Sequence, residues 1–296
     1  MHSGRLLTNE LRRPARPYAV NSLCHAAILR SENNIMTLIP RNLNYYTNII
    51  LQLLYPRKCP VCGQIINAER TIIQCNTDNC NPYICPSCYK KLNIVSGARC
   101  MKCSRPLEDD AAEYCPDCAS KVRHFDQGIS LLIHDDVSKK IIYGLKYSNK
   151  RDNADVLAYE AARRLADVIS YWNPDVIVPV PVHKKREIER GYNQAEVLVR
   201  KLVNFLKTDG TDYRLDTRLL RRDKQTIAQK KLGNEQRQDN LKNAFAVNEK
   251  VLEYCDYNSV LLIDDIYTSG ATLSECARTL KNAGIEKVYF LTFSIG

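Results

Sequence analysis

The sequence predicts an α/β domain built on a parallel sheet, preceded by a small cysteine-rich metal module. Three observations carry that expectation. After about residue 122, apolar strand-like runs alternate with amphipathic helical stretches, and strands apolar on both faces need helices on both sides. Eleven of the 13 cysteines precede residue 119, leaving Cys255 and Cys276 beyond it. Four cysteine pairs share one two-residue gap: Cys59/Cys62, Cys85/Cys88, Cys100/Cys103 and Cys115/Cys118. A chain of 296 residues, 45% hydrophobic and 26% charged, is long enough for one good core plus an appended module. Those proportions exclude general disorder, and no apolar run approaches the roughly 20 residues of a membrane span. The net charge of +10 favours an anionic partner without choosing between a phosphate ligand and nucleic acid.

In chain order, residues 1–44 are basic and poor in acids, with no sustained period. They read either as a transit peptide or as the product of an upstream start codon, with Met36 the true beginning. Residues 45–122 form the cysteine module, rich in proline and short of large aliphatics. Such a segment cannot bury enough apolar surface alone, so metal must supply the missing stability. A repeated CxxC knuckle points two sulfurs at one ion, which disulfide frameworks seldom need. Without a secretory signal, the consistent expectation is reduced thiols, bound zinc and a cytoplasmic location. Spacing alone leaves open which pairs share an ion. Cys75 and Cys80 read as substitute ligands or spare thiols. Cys276, at helical spacing with Leu273, Ala277 and Leu280, reads as core, and so does Cys255.

The third part, residues 123–296, supplies the sheet domain. Gln127 to Ile133 reads as a strand, and Asp152 to Trp172 as a helix with Leu157, Ala161, Leu165 and Ile169 on one face. Asp175 to Val180 is an apolar strand, followed by a helix from about Gln194 to Leu206. Val260 to Ile263 is a short strand, Ala271 to Ala283 a helix, and Lys287 to Phe293 a final strand.

The most informative stretch runs from Val260 to Thr272. Four buried-type residues end in Asp264 and Asp265, at the carboxyl edge of a strand, where open α/β sheets bind ligands. The turn Thr268-Ser269-Gly270-Ala271-Thr272 then enters a helix, and small residues, hydroxyls and converging backbone N–H groups make a phosphate cradle. Acids beside a phosphate cradle fit a ligand that also carries sugar hydroxyls or a bridging divalent cation. A second stretch, Val178 to Arg186 followed by Arg190-Gly191-Tyr192-Asn193-Gln194, ends a strand at prolines and continues as a cationic loop. Asn193, with Glu196 at the capping-box position, also reads as a simple helix cap.

All thirteen positions from Val260 to Thr272 resemble the phosphoribosyl pyrophosphate (PRPP) motif of type I phosphoribosyltransferases. That resemblance implies ribose hydroxyls on Asp264 and Asp265 and a 5′-phosphate on Thr268 to Thr272. It also implies a pyrophosphate loop carrying Lys184 and Lys185. The PxPxxxxR segment before the Arg190–Gln194 string resembles the hallmark of the ComF family, a competence-associated subgroup of that fold. Residues 219–245, closing on Ala244-Phe245, resemble the family's flexible loop, and Lys146-Tyr147 its lysine–tyrosine element. The family's N-terminal double zinc ribbon implies one zinc on Cys59, Cys62, Cys85 and Cys88, and a second on Cys100, Cys103, Cys115 and Cys118. Interleaved pairing is the alternative.

The resemblance covers residues 45–296 and implies a type I phosphoribosyltransferase-like sheet that takes magnesium-bound PRPP or a related phosphate ligand. It further implies a role in natural transformation, acting on single-stranded DNA beside a DNA-translocating competence helicase. Two expectations therefore stand side by side. One is a DNA-uptake protein that binds single strands, using the basic segments 139–151, 183–190 and 221–242. The other is an enzyme in which Asp264, Asp265, Lys184 and Lys185 act on PRPP and Arg190 and Asn193 help to hold it.

Overall fold

The computed structural model describes residues 56–66, 80–207, 212–222 and 243–296. The basic extension, Cys75 and the whole 223–242 segment lie outside them.

The sheet domain contains the expected parallel sheet. β1 (Gln127–Ile133), β2 (Val176–Pro179), β5 (Ser259–Tyr267) and β6 (Lys287–Ile295) stand in the order β1-β6-β5-β2, every pair parallel. A separate antiparallel hairpin pairs β3 (Leu220–Arg222) with β4 (Phe245–Val247). The helices of this domain are α3 (Asp136–Tyr147), α4 (Asn153–Trp172), α5 (Lys184–Arg190), α6 (Gln194–Leu206), α7 (Glu249–Tyr254) and α8 (Ala271–Asn282).

Alternation along the strands sorts the core into two layers. Ile129, Leu131, Leu261, Ile263, Leu291 and Phe293 share one cluster with Leu157, Leu165 and Ile169 of α4 and Leu198 and Leu202 of α6. Val260, Leu262, Val288 and Phe290 turn the other way and are equally buried, with α8 packed against β6. Burial of both faces explains why the strands read as continuous apolar runs.

Two elements differ from their reading in the sequence. β5 is nine residues long rather than four, so Asp264 and Asp265 lie within it. The strand continues because β6 still pairs with it there, Asp264 opposite Thr292 and Tyr267 opposite Ile295. β2 stops at Pro179, opposite Ile263. Beyond that point β5 has no partner on the β2 side, and a cleft opens. The expected cationic loop is instead the short helix α5, capped by the His183 ring, which accepts from the Lys185 N–H. Its only large apolar residue, Ile188, is 73% exposed, so no periodicity announced it.

The cysteine module is held by its knuckles. Gly63 and Ser104, each following the second cysteine of a pair, take left-handed conformations (φ 76° and 65°) that close the turns Gly63 N–H to Cys59 O and Ser104 N–H to Cys100 O. Cys85 and Cys115 each cap a one-turn helix with proline at its start, α1 (Pro86–Tyr89) and α2 (Pro116–Ser120). The module also covers the outer edge of β1. Val95 N–H donates to Leu131 O, Ile133 N–H to Asn93 O and Gly128 N–H to Lys102 O, so the edge strand exposes few unpaired groups.

Candidate functional site

Two features stand out: a cleft at the carboxyl ends of β1, β2 and β5, and two clusters of cysteine sulfur. The cleft has a volume of about 880 Å³. It gathers Asp264, Asp265, the turn Thr268–Thr272, Arg190 and Asn193 on one wall system, together with Lys146, Arg186, Arg222 and His134. Lys184 and Lys185 are not brought to that wall. They occupy the exposed first turn of α5, while Arg186 and Arg190, one helical turn apart, face the cleft.

Successive residues of a strand point to opposite faces, and this separates the two acids. Asp265 meets the Lys146 ammonium at 2.9 Å, with both side chains largely buried. Asp264 accepts from the Asp265 N–H at 2.8 Å. Burial first, and the neighbouring Asp265 charge second, raise the Asp264 carboxyl to about 7, against weaker opposition from Lys146 and Arg222. Asp264 is thus poised to change protonation near neutrality. Burial, with Lys139 and Lys146, lowers His134, and its Nδ1 lies 3.0 Å from Ser294 Oγ.

The cradle begins where β5 ends. Tyr267 stacks on Phe290 at 5.3 Å, and Phe290 meets Phe125 edge-on at 4.7 Å. Gly270 then turns the chain at φ 70°, and a Cβ there would sit 2.3 Å from the Tyr267 hydroxyl. Only glycine satisfies both constraints. α8 starts at Ala271 with no side-chain cap, so its first-turn N–H groups are suited to an anion.

Asn193 performs the capping role that its sequence context also allowed. Its Oδ1 accepts from Ala195 N–H at 3.0 Å and its Nδ2 donates to Val180 O at 3.1 Å, tying α6 to the end of β2. Arg190 donates to Gln194 Oε1 at 2.7 Å and lies over the Tyr147 ring at 5.6 Å. Sequence reasoning missed His134 and singled out neither Arg186 nor Arg222 as a site residue. His134 follows β1 directly, so position at a strand's carboxyl end was its available signal. Arg222 is placed by the β3–β4 hairpin, which has no local signature in so short a strand.

The sulfur clusters pair as the double-ribbon resemblance implied. Cys59, Cys62, Cys85 and Cys88 form one set and Cys100, Cys103, Cys115 and Cys118 the other, with all four sulfurs of a set within 4.8 Å of one another. Cys62 to Cys85 and Cys103 to Cys115 are each 3.6 Å. A tetrahedral zinc–thiolate centre places sulfurs about 3.8 Å apart, so both sets have the chemistry and size of a structural zinc site. Burial opposes a thiolate at Cys59, yet backbone N–H groups of Cys62, Cys85 and Val61 outweigh it and lower that thiol to about 7. Burial raises Cys85 and Cys115, and the Cys118 sulfur, ahead of burial, raises Cys103. Crowded thiolates of this kind need a cation among them. Among the described residues the buried Tyr267 hydroxyl has no hydrogen-bond partner, and a zinc-held thiolate at the nearby Cys103 would supply an acceptor. Cys80 and Cys255 depart from the reduced state expected of the described cysteines, because both are disulfide-bonded; the first set closes without Cys80. Cys276 is fully buried in α8, as expected of a core residue.

Residues 50–119 match the family model of a double zinc ribbon domain. Competence protein F of Haemophilus influenzae is 29% identical over 222 residues, spanning 69% of this chain and 93% of that protein. Competence protein ComFC of Bacillus subtilis is 29% identical over 215 residues, 68% of this chain and 79% of that protein. The DNA utilization protein YhgH of Escherichia coli K12 is 26% identical over 227 residues, with 70% and 94% covered. Fold and cysteine sets together define a double-zinc-ribbon protein with a parallel α/β domain. These similarities together support a place for the chain in the ComF family. Among the described residues no helix is long and apolar enough to cross a membrane.

Proposed function

We propose that the cleft binds a phosphorylated ribose and that the protein acts in DNA uptake by handling single-stranded DNA in the cytoplasm. One observation carries the ligand reading: Asp264 and Asp265 share a cleft with the uncapped start of α8 and its Thr268–Thr272 turn. Carboxylates accept from ribose hydroxyls while the turn and helix N-terminus take the 5′-phosphate. PRPP has both groups, and so does a nucleotide. The relatives named for competence and DNA utilization support the cellular role. A DNA-translocating helicase as partner rests on the family resemblance. Lys184 and Lys185, exposed beside the cleft mouth, are available to a polyanion.

Turnover of PRPP is a second reading, favoured by Lys146, Arg186 and Arg190 in the same cleft, cations suited to a departing diphosphate. The adjacent carboxylates fit magnesium, which is commonly held by one or two carboxylates plus ligand phosphates. Bound there, it would neutralise diphosphate charge.

Calorimetry with magnesium and PRPP tests the pocket. Wild type is expected to bind, and Asp264→Asn with Asp265→Asn to abolish binding while thermal unfolding stays cooperative. Absence of heat with wild type at millimolar ligand overturns the reading.

A further inference from the structure

The second cysteine set is built into the wall of the cleft. Arg105, two residues after Cys103, donates from its guanidinium to the Thr268 carbonyl oxygen at 2.9 Å. Thr268 is the first residue of the cradle, so its peptide orientation fixes where the turn points. On the other side of that peptide, the ring of Tyr267 stacks on Phe290, and its hydroxyl end fills the space that a Cβ on Gly270 would need. The knuckle that carries Arg105 is anchored twice more to the same layer. Gly128 N–H of β1 donates to Lys102 O at 2.9 Å, and the Lys102 ammonium lies 5.9 Å from the Phe125 ring centre. His124 N–H, just past α2, donates to Ser274 Oγ of α8 at 3.2 Å. The hydrogen bond from Arg105 crosses 163 residues of sequence, which local chain stiffness cannot enforce. It depends on the knuckle keeping its shape.

We infer that the second cysteine set, acting through Arg105 and Tyr267, positions the phosphate cradle, so that zinc occupancy at Cys100, Cys103, Cys115 and Cys118 sets the affinity of the cleft for a phosphorylated ligand. Arg105 is a positioning residue: it holds a backbone carbonyl and leaves the phosphate to the turn. A cradle of N–H groups binds well only when preorganised, because ordering it on binding subtracts from affinity. Among the described residues the first set has no such link. Its contacts run through Arg57, Asn81 and Tyr89 to α4, on the side of the sheet away from the cradle. The two zinc sites therefore have separable consequences, and a redox or metal-exchange event confined to the second would weaken the ligand site.

This inference rests on the phosphorylated-ribose reading of the cleft, and the test separates the two. Full-length protein is titrated with ribose 5-phosphate by calorimetry, with zinc counted by metal analysis for each variant. Wild type should hold two zinc ions and bind. Arg105→Ala should keep both ions and bind about tenfold more weakly, the usual worth of a hydrogen bond from a charged donor. Arg105→Lys, which keeps a cationic N–H donor, should recover most of that loss. Cys118→Ser should lose one ion and weaken binding at least as much as Arg105→Ala. Cys62→Ser should lose the other ion and leave the affinity within about twofold. If wild type fails to bind ribose 5-phosphate, the pocket reading falls and takes this inference with it. If wild type binds and Arg105→Ala binds equally well, or if Cys62→Ser weakens binding as much as Cys118→Ser, the inference alone is overturned.

Discussion

The two cysteine sets have the same chemistry and different neighbours. The first faces a polar network on α4. Glu160, whose side chain is 1% exposed, accepts from Arg163, Arg164, Tyr89 and Asn81, while Asp155 takes Arg57 and Lys201. The second faces aromatic rings and the start of the cradle. One zinc site is thus fastened to the back of the sheet domain by buried carboxylates, and the other is part of the ligand wall. Identical coordination does not mean identical purpose; the surface on which a metal knuckle rests decides what losing the metal does.

The largest expected effect lies on the first side. Cys59→Ser with Cys62→Ser removes half of one site, and structural zinc in small modules is worth on the order of ten kcal/mol of coupled binding and folding. Thermal unfolding should drop sharply or split into two transitions, because Cys59, Cys85 and Cys88 belong to the same buried cluster as α4 and β1. A single unshifted transition would break the comparison at its root.

Glu160→Gln is the next step down. It leaves Arg163 and Arg164 without their carboxylate, but both arginines are about a third exposed, so the loss should be nearer 2 kcal/mol than the values for fully buried pairs. Chemical denaturation should show it, with ribose 5-phosphate affinity unchanged.

On the cleft side, Asp264 sets a pH dependence. Its folded pKa of about 7 lies above the unfolded value, so the carboxylate form is strained by burial and the neutral form prevails below pH 7. Ligand binding that uses the carboxylate should strengthen by up to tenfold as pH rises from 6 to 8. Asp264→Asn should abolish that rise and leave only the titration of the ligand's own phosphate. An identical pH profile in wild type and variant would remove Asp264 from ligand binding.

The smallest effect is expected at the cleft mouth. Lys184→Glu with Lys185→Glu should lower the logarithmic salt slope of single-stranded DNA binding by roughly 1.4, close to 0.7 for each phosphate contact. Fluorescence anisotropy of a labelled oligonucleotide at several salt concentrations reads it. An unchanged slope would leave the DNA to other basic surfaces.

Much of this arrangement was legible in the sequence wherever a run of residues carried one dominant signal. α4 and α6 begin within a residue of where periodicity and Asn193 put them, and β1, β2 and β6 follow their apolar runs. The CxxC gap gave the knuckles, since a tight turn admits few spacings. What stayed hidden depended on partners distant in sequence. β5 runs on past Ile263 because β6 pairs with it, and nothing in Asp264-Asp265 announces that. α5 lacks an apolar face, so Lys184 to Arg190 read as loop. Arg105 sits beside Thr268 only because a knuckle docks on a sheet end far along the chain.

The position of β6 has a consequence for how the chain is made. β6 lies between β1 and β5, and the Ser130–Thr292 pair that ties it to β1 spans 162 residues. At about 5–20 residues per second, a nascent chain leaves that side of β1 without its partner for roughly ten to thirty seconds. The other side is served at once, because residues 93–95 precede β1 in synthesis and already match Leu131 and Ile133. The metal module is therefore an early-arriving guard for a late-closing sheet, and translation under zinc scarcity should expose β1 on both sides when it is most prone to wrong pairing.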